Sequence, residues 1–302
     1  MAAPSSTTPT DETLYREVIV GVDGAAGGRD AAALARVLGH SARTTLVYVR
    51  LFNPAGDHPT MLAIDRADDG DALGEALAQE RRLATGSPAC VRVPGDSVAE
   101  GLDAEAARRD ADLIVVGASH RHGLARLLWG DDALALVHRS PTAIAVAPSG
   151  YAHVSQPPRR IGVVDDATSG AQVALAHAGL LSRQFAAELH VRRIESPPLA
   201  AAQRPNLVPG ASSRASRARD HDIAVGEPTV EITLGPVGAE LRELATEVDL
   251  IVFAAHREGV FARLLVGSPS DWLLHHLQVP VLIAPATDER SVRRWSQPAQ
   301  VA

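Results

Sequence analysis

Two clusters in the first half of the chain have residue types and spacing that could do chemistry. Asp23 closes the apolar run Glu17-Val-Ile-Val-Gly-Val-Asp23 and is followed by Gly24-Ala-Ala-Gly-Gly28. A carboxylate there can accept hydrogen bonds from the hydroxyls of a ribose or from a base. The glycines let backbone amides approach an anion. The spacing is not GxGxxG, so the dinucleotide fingerprint is absent, and the same residues suit a plain strand-to-helix turn with an acid near a helix start. The second cluster is Gly117-Ala-Ser-His120, also at the end of an apolar run, from which a loop leads to Gly130 and Asp131. A glycine-bearing loop that feeds a helix start presents unpaired amides and the positive end of a helix dipole, an arrangement that cradles phosphate. Glycine used only for turn geometry would read the same way.

Other candidates carry less. His120 and His122 flank Arg121, and His275 and His276 are adjacent. Neighbouring helical histidines project to different faces, so no metal site is expected from them. Cys90 is the only cysteine and cannot form an internal disulfide; its strand context predicts a small buried core residue. Asp165-Asp166 reads as a strand-end carboxylate pair rather than a cation site. Arg204, Arg214, Arg217 and Arg219 lie in a Pro-, Ser- and Ala-rich segment expected to be a long loop. No G-x-S-x-G elbow is present.

These clusters need elements to position them, and the chain supplies the elements twice. Residues 112–148 and 249–285 align without a gap at an offset of 137, with 14 of 37 positions identical, including A-R-L-L-x-G and a closing Ala-Pro. A repeat of this size implies two copies of one domain, and 302 residues accommodate two. The predicted boundaries are a disordered tail (1–14), domain 1 (15–148), a polar Pro-bearing linker (149–158), domain 2 (159–286) and a polar tail (287–302) that frays or docks. In repeat 1 the apolar runs predict strands at 17–23, 44–50, 89–93, 112–117 and 142–147. Helices are predicted near 28–43, 71–85, 97–109 (with Ser97 as N-cap) and 131–139. Repeat 2 predicts strands at 160–166, 188–194, 229–234, 249–254 and 279–284. Apolar strands alternating with helices require a parallel sheet covered on both faces. Such sheets bind ligands beyond the carboxyl ends of their strands, where strand order reverses.

Composition excludes several classes. With 46% apolar and 22% charged residues the chain reads as a soluble globular protein. A net charge of -7 and 3% aromatics give neither the electrostatic footprint nor the stacking platform of a nucleic-acid binder. The sequence contains no lysine, which removes any lysine-dependent phosphate loop. No apolar run is long enough to span a membrane and no secretory signal is evident, so a cytoplasmic protein without nucleic-acid or membrane partners is expected.

Asp23, the D-L-I-V-V-G and A-R-L-L-x-G stretches and the closing H-x4-P-V-x-I-A-P of repeat 2 together resemble the universal stress protein family, over roughly residues 15–148 and 159–286. The resemblance implies two tandem Rossmann-like α/β domains, each a five-stranded parallel sheet of order 3-2-1-4-5 with helices on both faces. It implies a stress-response protein that binds ATP or a related adenine nucleotide, with Mg2+ as a possible companion, and that has little or no turnover. A degenerate interaction module that binds no nucleotide is the alternative, and a slow ATPase a third reading. It further implies a site of the form G-x2-G-x9-G-[S/T] with an Asp after the first strand. Matched residue by residue, repeat 1 offers Asp23, Val49, Val116, Gly117 and Gly130, with His120 at the second glycine and Asp131 at the Ser/Thr. Repeat 2 offers Asp166, Ile194, Gly267 and Ser268, with Ala254 and Arg257 at the two loop glycines. Asp131 is the larger departure. Two unit charges about 4 Å apart repel by ~4 kcal/mol at an effective dielectric of ~20, unless a divalent cation or an outward rotation relieves them. Family members also dimerise through the last strand. Residues 142–147 and 279–284 match that position, so an intrachain pseudo-dimer is expected, with a homodimer through the same strands as the further possibility.

Overall fold

The computed structural model describes residues 14–51, 88–118, 140–165, 169–195, 229–234, 237–255 and 278–296, together with the isolated positions 78 and 82. Repeat 1 contains β1 (Glu17–Gly21), α1 (Ala26–Leu38), β2 (Arg43–Leu51), β3 (Ala89–Gly95), α2 (Val98–Arg109), β4 (Leu113–Gly117) and β5 (Ala143–Ala147). A short helix, α3 (Tyr151–Val154), leads into repeat 2. There follow β6 (Arg160–Asp165), α4 (Ser169–Phe185), β7 (Glu188–Glu195), β8 (Thr229–Leu234), α5 (Val237–Glu247), β9 (Leu250–Ala254), β10 (Val281–Ala284) and α6 (Glu289–Ser296). The helices expected at 71–85 and 131–139 and the Arg-bearing loop fall wholly or largely outside the described residues.

The two five-stranded sheets merge into one sheet of ten strands, ordered β3-β2-β1-β4-β5-β10-β9-β6-β7-β8. Each half reads 3-2-1-4-5 from its own edge inward. All neighbours run parallel except the central pair, where β10 meets β5 antiparallel with Val281 opposite Val146 and Ile283 opposite Ile144. The last strands therefore cover each other within one chain. β5 is also paired with β4, and β10 with β9. Neither has an edge left for a homodimer, which removes the expected intermolecular route through these strands. The antiparallel join also places the carboxyl ends of the repeat 1 strands and those of repeat 2 at opposite ends of the sheet.

Residue choice explains the layering. β1, β4, β5 and β9 are buried at every position, as parallel strands covered on both faces must be. One apolar cluster packs α1 and α4 on one face, through Leu34 and Leu38 of α1 and Ala174 and Leu181 of α4. The other packs α2 and α5 through Leu102, Leu241 and Leu244. Ala31 to Ala35 of α1 are almost fully buried, so a run of small side chains lets this helix lie close to the sheet. Ser97 caps α2, its Oγ accepting from the Glu100 N–H at 3.1 Å. Asp110 closes the helix in the left-handed region at φ 54°.

β3 is an edge strand, exposed at alternate positions and carrying Pro94 where a missing N–H does least harm. This corrects the expectation for Cys90, which is exposed rather than buried. The apolar alternation around it belongs to a sheet rim. The linker also differs from a bare tether. The buried Asp30 carboxylate on α1 accepts from Gly150 N–H (2.9 Å) and Ala152 N–H (2.8 Å), and Tyr151 is buried beside them.

One device is shared by both repeats. The Asp112 carboxylate accepts from the N–H groups of Arg16 (2.7 Å) and Glu17 (3.0 Å). Asp249 does the same for Arg159 and Arg160, both at 2.9 Å. The Asp of each D-L-I-V stretch thus pins the start of its repeat's first strand.

Candidate functional site

The reversal point of repeat 1 lies between β1 and β4, and of the expected residues Asp23 and Gly117 lie at its strand ends. Val22 N–H still donates to Val47 C=O at 3.0 Å, so the β1 ladder runs on to the doorstep of Asp23. Asp23 Oδ1 then accepts from Ala25 N–H at 2.9 Å, folding the chain through Gly24 at φ 76°, a conformation that favours glycine. One carboxylate oxygen is used by this turn. The other has no hydrogen bond among the described residues, and a carboxylate has capacity for several. α1 starts immediately afterwards with no side-chain cap and no acid in its first turn, leaving amide donors at its positive end.

Gly117 ends β4 against this helix start. A Cβ at Gly117 would overlap the Gly27 carbonyl oxygen and stand 2.7 Å from Gly27 Cα. The glycine is therefore a packing requirement: it seats the first turn of α1 against the end of β4. Val49 and Val116 lie on the α2 face of the sheet, both buried. Val49 is packed hard, since a Cβ on Gly101 of α2 would come within 2.6 Å of its Cγ1. Asp23 follows the end of β1 in the turn that leads to α1. The Asp23 acceptor oxygen and the close backbone approach at Gly117 are thus placed at neighbouring strand ends. His120, Gly130 and Asp131, the phosphate side of the expected site, lie outside the described residues.

Repeat 2 is less completely described. Ala254 ends β9 at the position of Gly117 and is buried with its Cβ in place. Ile194 sits in β7 opposite Thr233. Asp165, beside the expected Asp166, is not a loose carboxylate, because its Oδ2 accepts from Arg193 Nε (2.9 Å) and Nη2 (2.6 Å). Asp166, Arg257, Gly267 and Ser268 lie outside the described residues.

Sequence reasoning missed several groups. The backbone of Gly27 is the surface that Gly117 meets, a contact that sequence spacing does not show. Arg29, Asp30 and His153 border a pocket of about 190 Å³ beside the first turn of α1, closed by the linker. The G-R-D tripeptide of α1 was the available signal. A larger cleft of about 550 Å³ lies at the other end of the repeat 1 strands, bordered by Tyr15, Thr142, His177 and Pro285. It is remote from the Asp23 corner and holds none of the expected site residues. In repeat 2 the core position matching Val47 is Arg192, buried and held by Glu231 (2.9 Å) and Glu247 (2.8 Å). Among the described residues no cluster of three or more His, Cys, Asp or Glu side chains could hold a metal ion. No described helix is long and apolar enough to cross a membrane.

Comparison with known proteins gives this geometry a family. The model of the Universal stress protein family matches residues 14–148 and again 158–285. The chain belongs to the universal stress protein family. This tandem universal stress protein is 25% identical over 294 residues to Universal stress protein Rv2005c of Mycobacterium tuberculosis, covering 88% of this chain and 96% of that one. It is 22% identical over 289 residues to Universal stress protein Rv2319c of the same organism, with 89% and 99% covered. Among solved structures, a universal stress protein from Archaeoglobus fulgidus superposes with a TM-score of 0.58 at 14% identity, covering 91% of this chain and 97% of that one. A putative universal stress protein from Pseudomonas aeruginosa gives 0.54 at 17% identity, with 94% and 97% covered. Both likenesses concern the fold, and both span the two repeats together.

Proposed function

We propose that this universal stress protein is a cytoplasmic regulatory protein that binds an adenine nucleotide, ATP or a close relative, in repeat 1, and that has little or no turnover. The observation that carries this reading is the corner at the β1–β4 reversal. Asp23 retains an acceptor oxygen, Val49 and Val116 are buried on the α2 face of the sheet, and Gly117 brings the uncapped start of α1 against the strand end. The carboxylate would accept from ribose hydroxyls. Gly130, together with the α1 amides, would approach the phosphates. Asp131 would hold a Mg2+ ion if one accompanies the nucleotide, and the cation's charge would offset the repulsion between this carboxylate and a phosphate. With little turnover, the bound state itself would be the signal.

Repeat 2 reads as the scaffold half. Ala254 carries a Cβ where repeat 1 needs none, and the Arg257 side chain replaces the second loop glycine. Isothermal titration of ATP into the full chain, with and without magnesium, tests the proposal. Magnesium-dependent heat is expected, and the variant Asp131→Ser is expected to bind without needing the metal. Absence of heat under both conditions supports instead the reading in which the protein is an interaction module without a nucleotide.

A further inference from the structure

A buried hydrogen-bond chain crosses the seam between the repeats and takes no part in the Asp23 corner. Tyr15 precedes β1 of repeat 1, His177 stands midway along α4 of repeat 2, and Asp288 follows β10 and opens α6. Tyr15 Oη lies 3.1 Å from His177 Nδ1, and His177 Nε2 lies 2.9 Å from Asp288 Oδ2. Tyr15 and His177 are 1% and 2% exposed. The other Asp288 oxygen, Oδ1, accepts from Ser291 N–H at 3.1 Å, in the first turn of α6.

Chemistry dictates where the protons lie. Partial burial works to raise the Asp288 carboxyl, but hydrogen bonds from His177 and Ser291 outweigh it and hold the group well below the usual carboxylate range. Burial, with the charges of Asp288 and Asp112, pushes the Tyr15 phenol well above its ordinary value, so it remains an O–H. An ionised carboxylate only accepts, which requires the hydrogen on His177 Nε2. In the Nε2–H tautomer Nδ1 carries a lone pair, to which the Tyr15 hydroxyl can donate.

The arrangement is not inherited from the duplication. When Asp23 is set against Asp166, the residue of repeat 1 that matches His177 is Leu34, and α3 docks on α1 through Asp30 instead. The surroundings of His177 on its own helix are apolar, with Ala174 and Leu181 in the shared core. The ionisable neighbours across the cleft are Arg16, Asp110 and Asp112 from repeat 1, and Glu289 and Arg293 from α6. A second strand of contacts runs alongside: the Leu14 N–H donates to Gln184 Oε1, and Gln184 Nε2 donates to Leu38 C=O, both at 3.4 Å.

We propose that Tyr15, His177 and Asp288 form a tautomer-locked clasp, in which the carboxylate that opens the C-terminal helix fixes the proton on His177 Nε2 and so makes Nδ1 the acceptor that holds repeat 1 to repeat 2. Docking of α6 is thereby coupled through His177 to the anchoring of β1. The clasp does not depend on whether either repeat holds a nucleotide.

The test uses the full-length chain with nitrogen-labelled histidine, read by ring-nitrogen NMR at neutral pH, together with amide exchange. The wild type is expected to carry its proton on Nε2. Asp288→Ala should give a mixed tautomer and faster exchange at both α6 and the start of β1, by roughly fivefold for the loss of one net hydrogen bond of about 1 kcal/mol. Asp288→Asn, which can still accept from Nε2–H, should restore the tautomer and most of the protection. Tyr15→Phe should speed exchange at β1 without changing the tautomer, and adding Asp288→Ala to it should produce little further change at β1. A proton found on Nδ1 in the wild type would overturn the proposal. So would an Asp288→Ala effect confined to α6, or strictly additive effects of the two substitutions at β1.

Discussion

Gly117→Ala separates a packing role from a ligand role at the centre of the site. The added Cβ would overlap the Gly27 carbonyl oxygen and stand 2.5 Å from its carbonyl carbon and 2.7 Å from its Cα. Ordinary carbon contacts lie near 3.5–4.0 Å, so the first turn of α1 must retreat by about 1 Å. Overpacking costs about 1–3 kcal/mol where side chains can adjust. Here the obstacle is backbone, which has no rotamer to change, so about 3 kcal/mol is expected. At roughly 2–4 °C per kcal/mol for a domain of this class, the melting temperature should fall by about 6–12 °C. Calorimetric or circular-dichroism melts of the two proteins measure this directly. The reciprocal substitution Ala254→Gly, which removes a Cβ already accommodated, should cost only about 1 kcal/mol through backbone entropy. A Gly117→Ala protein within 1 kcal/mol of wild type would refute the close-approach argument, and the glycine would then have to be explained by ligand access alone.

Other expectations follow from the same structure. Asp112→Ala removes the acceptor of two backbone N–H groups and should destabilise by about 2–4 kcal/mol in urea unfolding, with Asp249→Ala producing a similar loss. Arg192→Ala should cost about 2–4 kcal/mol, chiefly from the void it leaves, because Glu231 and Glu247 are partly exposed and can rehydrate; Arg192→Met should recover most of it in the same assay. Glu105 is held at about 2 by its hydrogen bond from Arg108, reinforced by Arg109 against the opposing effect of burial. Its folded value is depressed, so its contribution is complete above the ordinary glutamate value of about 4.5 and disappears as pH falls through about 2. The stability gap between wild type and Glu105→Gln should therefore narrow across that window; a gap that widens on acidification would contradict the sign.

Much of the fold was readable from periodicity and repetition. The apolar runs located the ten described strands, and in β1, β4, β5 and β9, buried at every position, no polar alternation obscures them. Ser97 was readable as a cap since a hydroxyl before a helical run has one common use. Cys90 was misjudged because a sheet edge and a sheet interior share the same local alternation, and only the strand order distinguishes them. The merging of two sheets into one was legible only as a need to cover the last strands; that each covers the other in register is a tertiary fact. Strand ends single out Asp23 and Gly117 as candidates, but the residue that Gly117 packs against is Gly27, about ninety residues away in sequence. Spacing cannot show that two backbones touch. The Tyr15–His177–Asp288 chain was invisible for the same reason, since its members come from three distant segments and conform to no motif.

The central claim is that the repeats share a scaffold but not a ligand. Native mass spectrometry of the full-length chain with saturating ATP and magnesium tests it most directly. One nucleotide per chain is predicted, lost in Asp23→Ala and retained in Asp166→Ala. Two nucleotides per chain, or a single one that survives Asp23→Ala, would contradict it.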